Sequence, residues 1–284
     1  MHYPHISIIG AGNMGSSLIG GLINSGFPAD NIIASDPNSD QLRQLQEKFH
    51  IQTSSDNVQA LQTANVLILA VKPQMIPKIA AQIAPIIHSR KILVISIAAG
   101  VRLSILERDL GDKTAIVRTM PNTPALVGSG ASALYANAQV SAEQREIAES
   151  ILRSVGIIVW LEQEAQMDIV TGLSGSGPAY FFLVMEALQE AAEQMGLNAE
   201  IARLLTLQTA LGAAHMAIET DQALSELRHS VTSPGGTTEQ AIAVLEQNKL
   251  RLLFKKALQA AALRSEELAQ LLEKNENAST KHSS

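Results

Sequence analysis

The chain changes its hydrophobic period part-way along. From residue 5 to about 160, short runs of β-branched and aliphatic residues alternate with helical stretches; beyond Glu162 only helical patterns remain. The runs lie at 6–9, 32–34, 66–71, 92–97, 115–118, 131–135 and 157–160. They lack polar alternation, as strands of a parallel sheet covered on both faces do. Helical stretches at 13–25, 39–49, 75–87 and 103–110 fall between them, so the spacing predicts βαβ units and a doubly wound α/β domain. Further helices are predicted at 181–195, 199–219, 221–230, 237–246 and 250–273. We therefore expect an α/β domain over residues 1–162, an all-α domain over 163–274 and a polar, disordered tail over 275–284.

Composition narrows the function. The 284 residues include no cysteine and only 3% aromatics, with 21 Lys+Arg against 27 Asp+Glu. That excludes a disulfide framework, a thiolate nucleophile and a Cys-ligated metal, and no metal site is expected. An acidic chain with few stacking rings argues against a nucleic-acid partner. The start lacks a basic, apolar leader, and the apolar runs are shorter than the ~20 residues that span a bilayer. A cytoplasmic protein with no membrane partner is the expectation. The stretch 206–217 is apolar or small on nearly every face, so its helix should be buried, within a core or against another subunit, and the helical half is expected to oligomerise.

The first chemical motif is Gly10-Ala11-Gly12-Asn13-Met14-Gly15, between the first strand and the first helix. That context suits a dinucleotide fingerprint. Gly10 permits the tight turn, Gly12 the approach of a pyrophosphate, and Gly15 close helix–sheet packing. About twenty residues on, Asp36 stands where an acid accepts from a ribose 2′-OH. Its neighbours Ser35, Pro37, Asn38 and Ser39 could instead receive a 2′-phosphate, so the residues leave NAD against NADP open. Asp36 could equally be a helix N-cap. Ala70-Val71-Lys72-Pro73 and the small residues Ala98, Ala99 and Gly100 end further strands, where α/β sheets bind ligands. Lys72 would touch phosphate, serve as a proton donor or simply be a solvated strand end. Asn122, between Pro121 and Pro124, reads as a cofactor contact or a rigid turn.

The helical half holds two strings of small and hydroxyl residues, each preceding a helix: Leu173-Ser174-Gly175-Ser176-Gly177-Pro178-Ala179-Tyr180 and Val231-Thr232-Ser233-Pro234-Gly235-Gly236-Thr237-Thr238. Both could cap their helices or offer N–H groups and hydroxyls to a carboxylate. None of the seven histidines sits in a motif. A dinucleotide site with an anion pocket but no strong general acid suits hydride transfer to a substrate that is already cationic, such as an iminium.

With these blocks in this order the chain closely resembles pyrroline-5-carboxylate reductase, from the first strand to about residue 270. The resemblance implies a Rossmann NAD(P)-binding domain and a helical substrate and dimerisation domain. It implies a homodimer, with larger rings such as a decamer built as a pentamer of dimers. The cofactor would be NADPH, with NADH as the alternative. Gly10, Gly12, Asn13, Met14 and Gly15 would hold the pyrophosphate, and Ser35, Asp36 and Asn57 would lie near the adenosine ribose. Ala70, Val71, Lys72, Pro73, Ala98 and Gly100 would line the ribose and nicotinamide, with Asn122 where the domains meet. Ser233, Gly236, Thr237 and Thr238 would bind the substrate carboxylate, with Glu164 and Ser174 as further substrate contacts. Thr238 would also reach the ring nitrogen or organise water there, the one catalytic role assigned. The implied reaction is hydride delivery to the C=N carbon of protonated 1-pyrroline-5-carboxylate, giving L-proline in the last step of proline biosynthesis. Other readings are a broader cyclic-imine reductase, a β-hydroxyacid-type dehydrogenase and a non-catalytic NAD(P)-sensing scaffold. The dehydrogenase should carry a catalytic lysine in the helical half, and Lys249, Lys255 and Lys256 lack that context.

Overall fold

The computed structural model describes residues 3–280, with side chains to residue 274. Eight strands form one sheet: β1 (Ile6–Ile9), β2 (Ile32–Ser35), β3 (Gln52–Ser54), β4 (Val66–Leu69), β5 (Leu93–Ser96), β6 (Ile116–Met120), β7 (Gly130–Ala136) and β8 (Gly156–Trp160), in the order 3-2-1-4-5-6-7-8. Every neighbouring pair is parallel except β6 and β7. That reversal departs from the parallel pattern read in the sequence. Residues 121–129 hold only a short 3-10 turn, too little chain for the helical crossover that a parallel return needs. β1 pairs with both β2 and β4, so the chain reverses its direction of winding there. A crevice at that switch point is where such sheets bind ligands.

The helices of this part are α1 (Asn13–Asn24), α2 (Ser39–Phe49), α3 (Asn57–Ala60), α4 (Ile76–Arg90), α5 (Leu103–Leu110) and α6 (Ala142–Arg153). They cover both faces of the sheet. Ile6, Ile8 and Ile68 join Leu18, Leu22, Leu45 and Ile151 in one core cluster, whereas Ile9, Leu67 and Leu69 join Ile79, Ile83 and Leu106 in a second. Successive strand residues point to opposite faces. Both faces are dry at β1, β4 and β5, which is why their runs are apolar without alternation, whereas Ile157 and Val159 of β8 are exposed. The sequence reading missed β3, α3 and α6. For α6 the signal was present: Ser141 and Gln144 form a reciprocal capping box, with Gln144 N–H to Ser141 Oγ at 3.2 Å and Ser141 N–H to Gln144 Oε1 at 3.0 Å.

The rest is helical: α7 (Gln166–Val170), a π-helical turn (Thr171–Gly175), α8 (Gly177–Gln194), α9 (Ala199–Ile218), α10 (Leu224–Ser230), α11 (Thr237–Gln247) and α12 (Leu250–Thr280). By compactness the chain forms two units. The first holds everything to Ser176 and the chain from Ala260 on; the second is Gly177–Gln259. The boundary read from the sequence, 162/163, thus precedes the break between compact units. Residues 163–176 pack with the sheet, as does the second half of α12. Within the first unit Ala269 is fully buried, Ser265 Oγ donates to Asp168 Oδ1 at 2.7 Å, and Arg102 pairs with Glu273 at 3.4 Å. Of the tail expected to be disordered, the chain to Thr280 continues α12, and 281–284 lie outside the described residues.

In the second unit α8 packs on α9. Phe181, Phe182, Leu204 and Leu211 are all more than half exposed. Apolar faces of this extent mark an interaction surface. No uninterrupted apolar run reaches membrane-spanning length, yet α9 passes by overall length and composition, alone among the described residues. An exposed ion pair joins α11 to α12: Arg251 bonds Glu246 at 2.7 Å and holds that carboxyl below its usual range.

Candidate active site

The switch-point crevice is built from the first motif. Gly10 has φ +101°, and a Cβ there would meet Ala70 O at 2.4 Å. A Cβ on Gly15 would meet Gly10 O at 2.2 Å. Both glycines are therefore imposed by close backbone packing. A Cβ on Gly12 would meet nothing within 4 Å. It would project into a cradle left open. Gly12 is also the N-cap of α1, which has no side-chain cap and no acid in its first turn. The first-turn N–H groups at Asn13 and Met14 are thus available to an anion. A cavity of about 800 Å³ adjoins them, lined by Gly10, Gly12, Ser35, Asp36, Asn57, Ala70, Val71 and Lys72. Pro73 opens the 3-10 turn Pro73–Met75 with exposed Lys72 at its N-cap. An open, uncapped cradle beside a cavity of this size fits a dinucleotide pyrophosphate.

Two side chains that line the crevice have duties of their own. Asp36 Oδ2 accepts the Ala11 N–H at 2.8 Å and Oδ1 the Asn38 N–H at 2.9 Å. The N-cap of α2 is Asn38, not Asp36. Asp36 ties the glycine loop to the turn after β2 while its carboxylate lines the crevice. Ser35 is fully buried and its hydroxyl donates to Asn57 Oδ1 at 2.8 Å.

At the carboxyl ends of β5 and β6, Ala98 is buried and Gly100 has φ +75°. Asn122 accepts the Ala131 N–H at 2.8 Å and donates to Ser174 O at 3.1 Å. Its amide joins segments of this chain. Glu164 Oε1 accepts from Arg118 Nη1 at 2.7 Å and from the Leu103 N–H at 2.8 Å. The sequence reading gave Arg118 no partner. A lone arginine inside the run Ala-Ile-Val-Arg-Thr-Met was the available signal, because a buried guanidinium needs a counter-charge.

The first small-residue string is not a loop before a helix. Residues 171–175 are themselves a π-helical turn, and Ser174 Oγ donates back to Val170 O at 3.1 Å. The turn presses against the sheet: a Cβ on Gly175 would meet Met120 Cε at 2.7 Å. Ser174 serves the turn, and its helix geometry was invisible because Ser and Gly favour loops.

The second string keeps the shape expected. Gly235 has φ +73°, and Gly236 is the N-cap of α11. That helix has no side-chain cap, although Ser233, Thr237 and Thr238 stand at it. The Gly236 N–H donates to Ser233 O at 3.0 Å, and the Gly235 N–H to Glu239 Oε2 at 2.7 Å. A carboxylate therefore already suits one N–H of this loop. Thr238 is half-buried; Ser233 and Thr237 are exposed. Among the described residues no group of three His, Cys, Asp or Glu could hold a metal ion.

Comparison with known proteins agrees with both parts. Residues 164–268 match the family model for pyrroline-5-carboxylate reductase dimerisation, and residues 5–100 that for NADP oxidoreductase, coenzyme F420-dependent. A pyrroline-5-carboxylate reductase of Pseudomonas aeruginosa is 51% identical over 96% of this chain and 99% of its own length. A solved pyrroline-5-carboxylate reductase of Coxiella burnetii, 50% identical, superposes with a TM-score of 0.91 over 94% of this chain and 99% of that one. The Plasmodium falciparum enzyme, solved with NADP bound, is 31% identical with a TM-score of 0.83, over 95% and 99%. With full-length relatives at this identity, and with the glycine cradle and the uncapped hydroxyl loop both in place, the chain belongs to the pyrroline-5-carboxylate reductase family.

Proposed function

We propose that the protein reduces 1-pyrroline-5-carboxylate to L-proline at the expense of NAD(P)H. The observation that carries this reading is the start of α11, where the N-cap Gly236 supplies no side-chain cap, Ser233, Thr237 and Thr238 stand beside it, and one N–H already bonds a carboxylate, that of Glu239. A substrate carboxylate is the simplest partner for them. Ser233, Gly236, Thr237 and Thr238 hold that carboxylate, and Thr238 reaches toward the ring nitrogen. Gly10, Gly12, Asn13, Met14 and Gly15 hold the pyrophosphate; Ala70, Val71, Lys72, Pro73, Ala98 and Gly100 shape the crevice beyond it. NAD(P)H, when bound, supplies the hydride. The imine nitrogen arrives protonated, so the site needs no strong acid and works by placing the reactants and excluding water. The division into a cofactor domain, 1–162, and a helical domain, 163–274, goes with this reading and is supported by a family match that starts at residue 164. The exposed faces of α8 and α9 serve the dimer, and the resemblance supports further assembly to a decamer.

The test is substrate-dependent oxidation of NADPH and of NADH with 1-pyrroline-5-carboxylate and formation of proline. Neither cofactor being consumed would overturn the assignment.

Asp36 sets the balance between the cofactors. Its carboxylate repels a 2′-phosphate and accepts from a 2′-OH. In D36S the ratio of kcat/KM with NADPH to that with NADH should rise about tenfold, the size of one charge-assisted contact. A ratio that stays put would reduce Asp36 to a tie for the Ala11 N–H.

A further inference from the structure

Glu164 joins three segments. Leu103, whose N–H it accepts, opens α5 directly after the 97–102 loop that carries Ala98 and Gly100. Arg118, its ion-pair partner, lies in β6, which leads to Asn122. Glu164 itself precedes α7 and the π-helical turn, to which Asn122 is bonded through Ser174 O. α5 has no side-chain cap of its own, so Glu164 supplies the missing acceptor from sixty residues away. The Arg118 side chain is 4% exposed and that of Glu164 26%. A guanidinium this buried requires a partner, and short charge-assisted bonds in low dielectric hold their geometry. A single oxygen, Oε1, receives both bonds.

We propose that Glu164 is a positioning residue for the reduction rather than a contact of the substrate. It fixes the loop bearing Ala98 and Gly100, the end of β6 and the entry to the helical region against one another. The proposal rests on the functional reading above, in which the nicotinamide end of the cofactor meets that loop. Displacing a reacting centre by about 1 Å can cost on the order of a hundredfold in rate without weakening binding.

The experiment compares E164A, E164Q and the double variant R118M/E164Q. E164A removes both bonds. E164Q keeps an oxygen for the Leu103 N–H but strands the Arg118 charge, and the double variant removes that charge as well. In E164A, kcat should fall about 10- to 100-fold, while KM for 1-pyrroline-5-carboxylate and Kd for NADH stay within about threefold. The fluorescence of bound NADH should change, because the nicotinamide end has shifted. R118M/E164Q should recover most of what E164Q loses, and it serves as the measured variant if E164A fails to fold. A tenfold rise in KM at unchanged kcat would make Glu164 a substrate contact and overturn the proposal. Unchanged kcat and unchanged NADH fluorescence with only a lower Tm would overturn it too, leaving a structural pair. If the wild-type enzyme fails to oxidise NAD(P)H with the imine, the functional reading fails. The fluorescence of bound NADH in the variants then still decides whether Glu164 places that loop.

Discussion

G12V should bind NADH and NADPH about a hundred- to a thousandfold more weakly while melting within a few degrees of the wild type. The physical reason is the open cradle. Gly12 has φ −66°, which valine adopts, and its Cβ would meet no protein atom within 4 Å. The side chain thus costs the fold little and fills the space that a pyrophosphate must enter. Two charge-assisted hydrogen bonds lost at about 1.5–2 kcal/mol each give that range of affinity. G10A makes the contrast. Its φ of +101° is poorly suited to alanine, and its Cβ would lie 2.4 Å from Ala70 O. Left-handed strain alone is about 1–3 kcal/mol, so Tm should fall by several degrees. Fluorescence titration and thermal melts on both variants check the pair. Wild-type affinity in G12V would show that the phosphate lies elsewhere.

The second large effect concerns α11. T238A should lower kcat/KM for 1-pyrroline-5-carboxylate about 10- to 100-fold, the loss of one hydroxyl bonded to a charged group. With 1-pyrroline, which lacks the carboxylate, the wild type should lose about a thousandfold, because several N–H and hydroxyl groups lose their partner together. T238A should then matter far less with 1-pyrroline than with the natural acid. That non-additivity distinguishes carboxylate anchoring from a general loss of packing. Equal rates with and without the carboxylate would point to a broader cyclic-imine reductase. An unaffected T238A would refute the role given to the hydroxyl.

Much of this site was legible before any coordinates. The glycine spacing after β1 is a local matter: a tight turn and close backbone approaches demand glycine wherever they occur. The loop at 231–238 was legible for the same reason, since Gly235 and Gly236 flanked by hydroxyls already describe a helix start. Other duties were hidden because they depend on a partner that the sequence does not mark. The Ser35 hydroxyl donates to Asn57. Ser174 is back-bonded inside a π-helical turn. The Asn122 amide bridges Ala131 and Ser174.

The sequence by itself determined the two-part plan, the largely buried sheet and the place of the glycine turn that opens α1. Those follow from period, from glycine geometry and from the apolar character of successive residues, all readable over a few positions. Only the tertiary structure decided that β7 runs against β6, that residues 163–176 pack with the sheet, and that Glu164 Oε1 accepts from Arg118 and Leu103. The reason is that a polar side chain carries no mark of its partner. A carboxylate that meets a substrate and one that neutralises a buried guanidinium 46 residues back along the chain are written with the same residue. Folding alone settles which donors lie within about 3 Å of it.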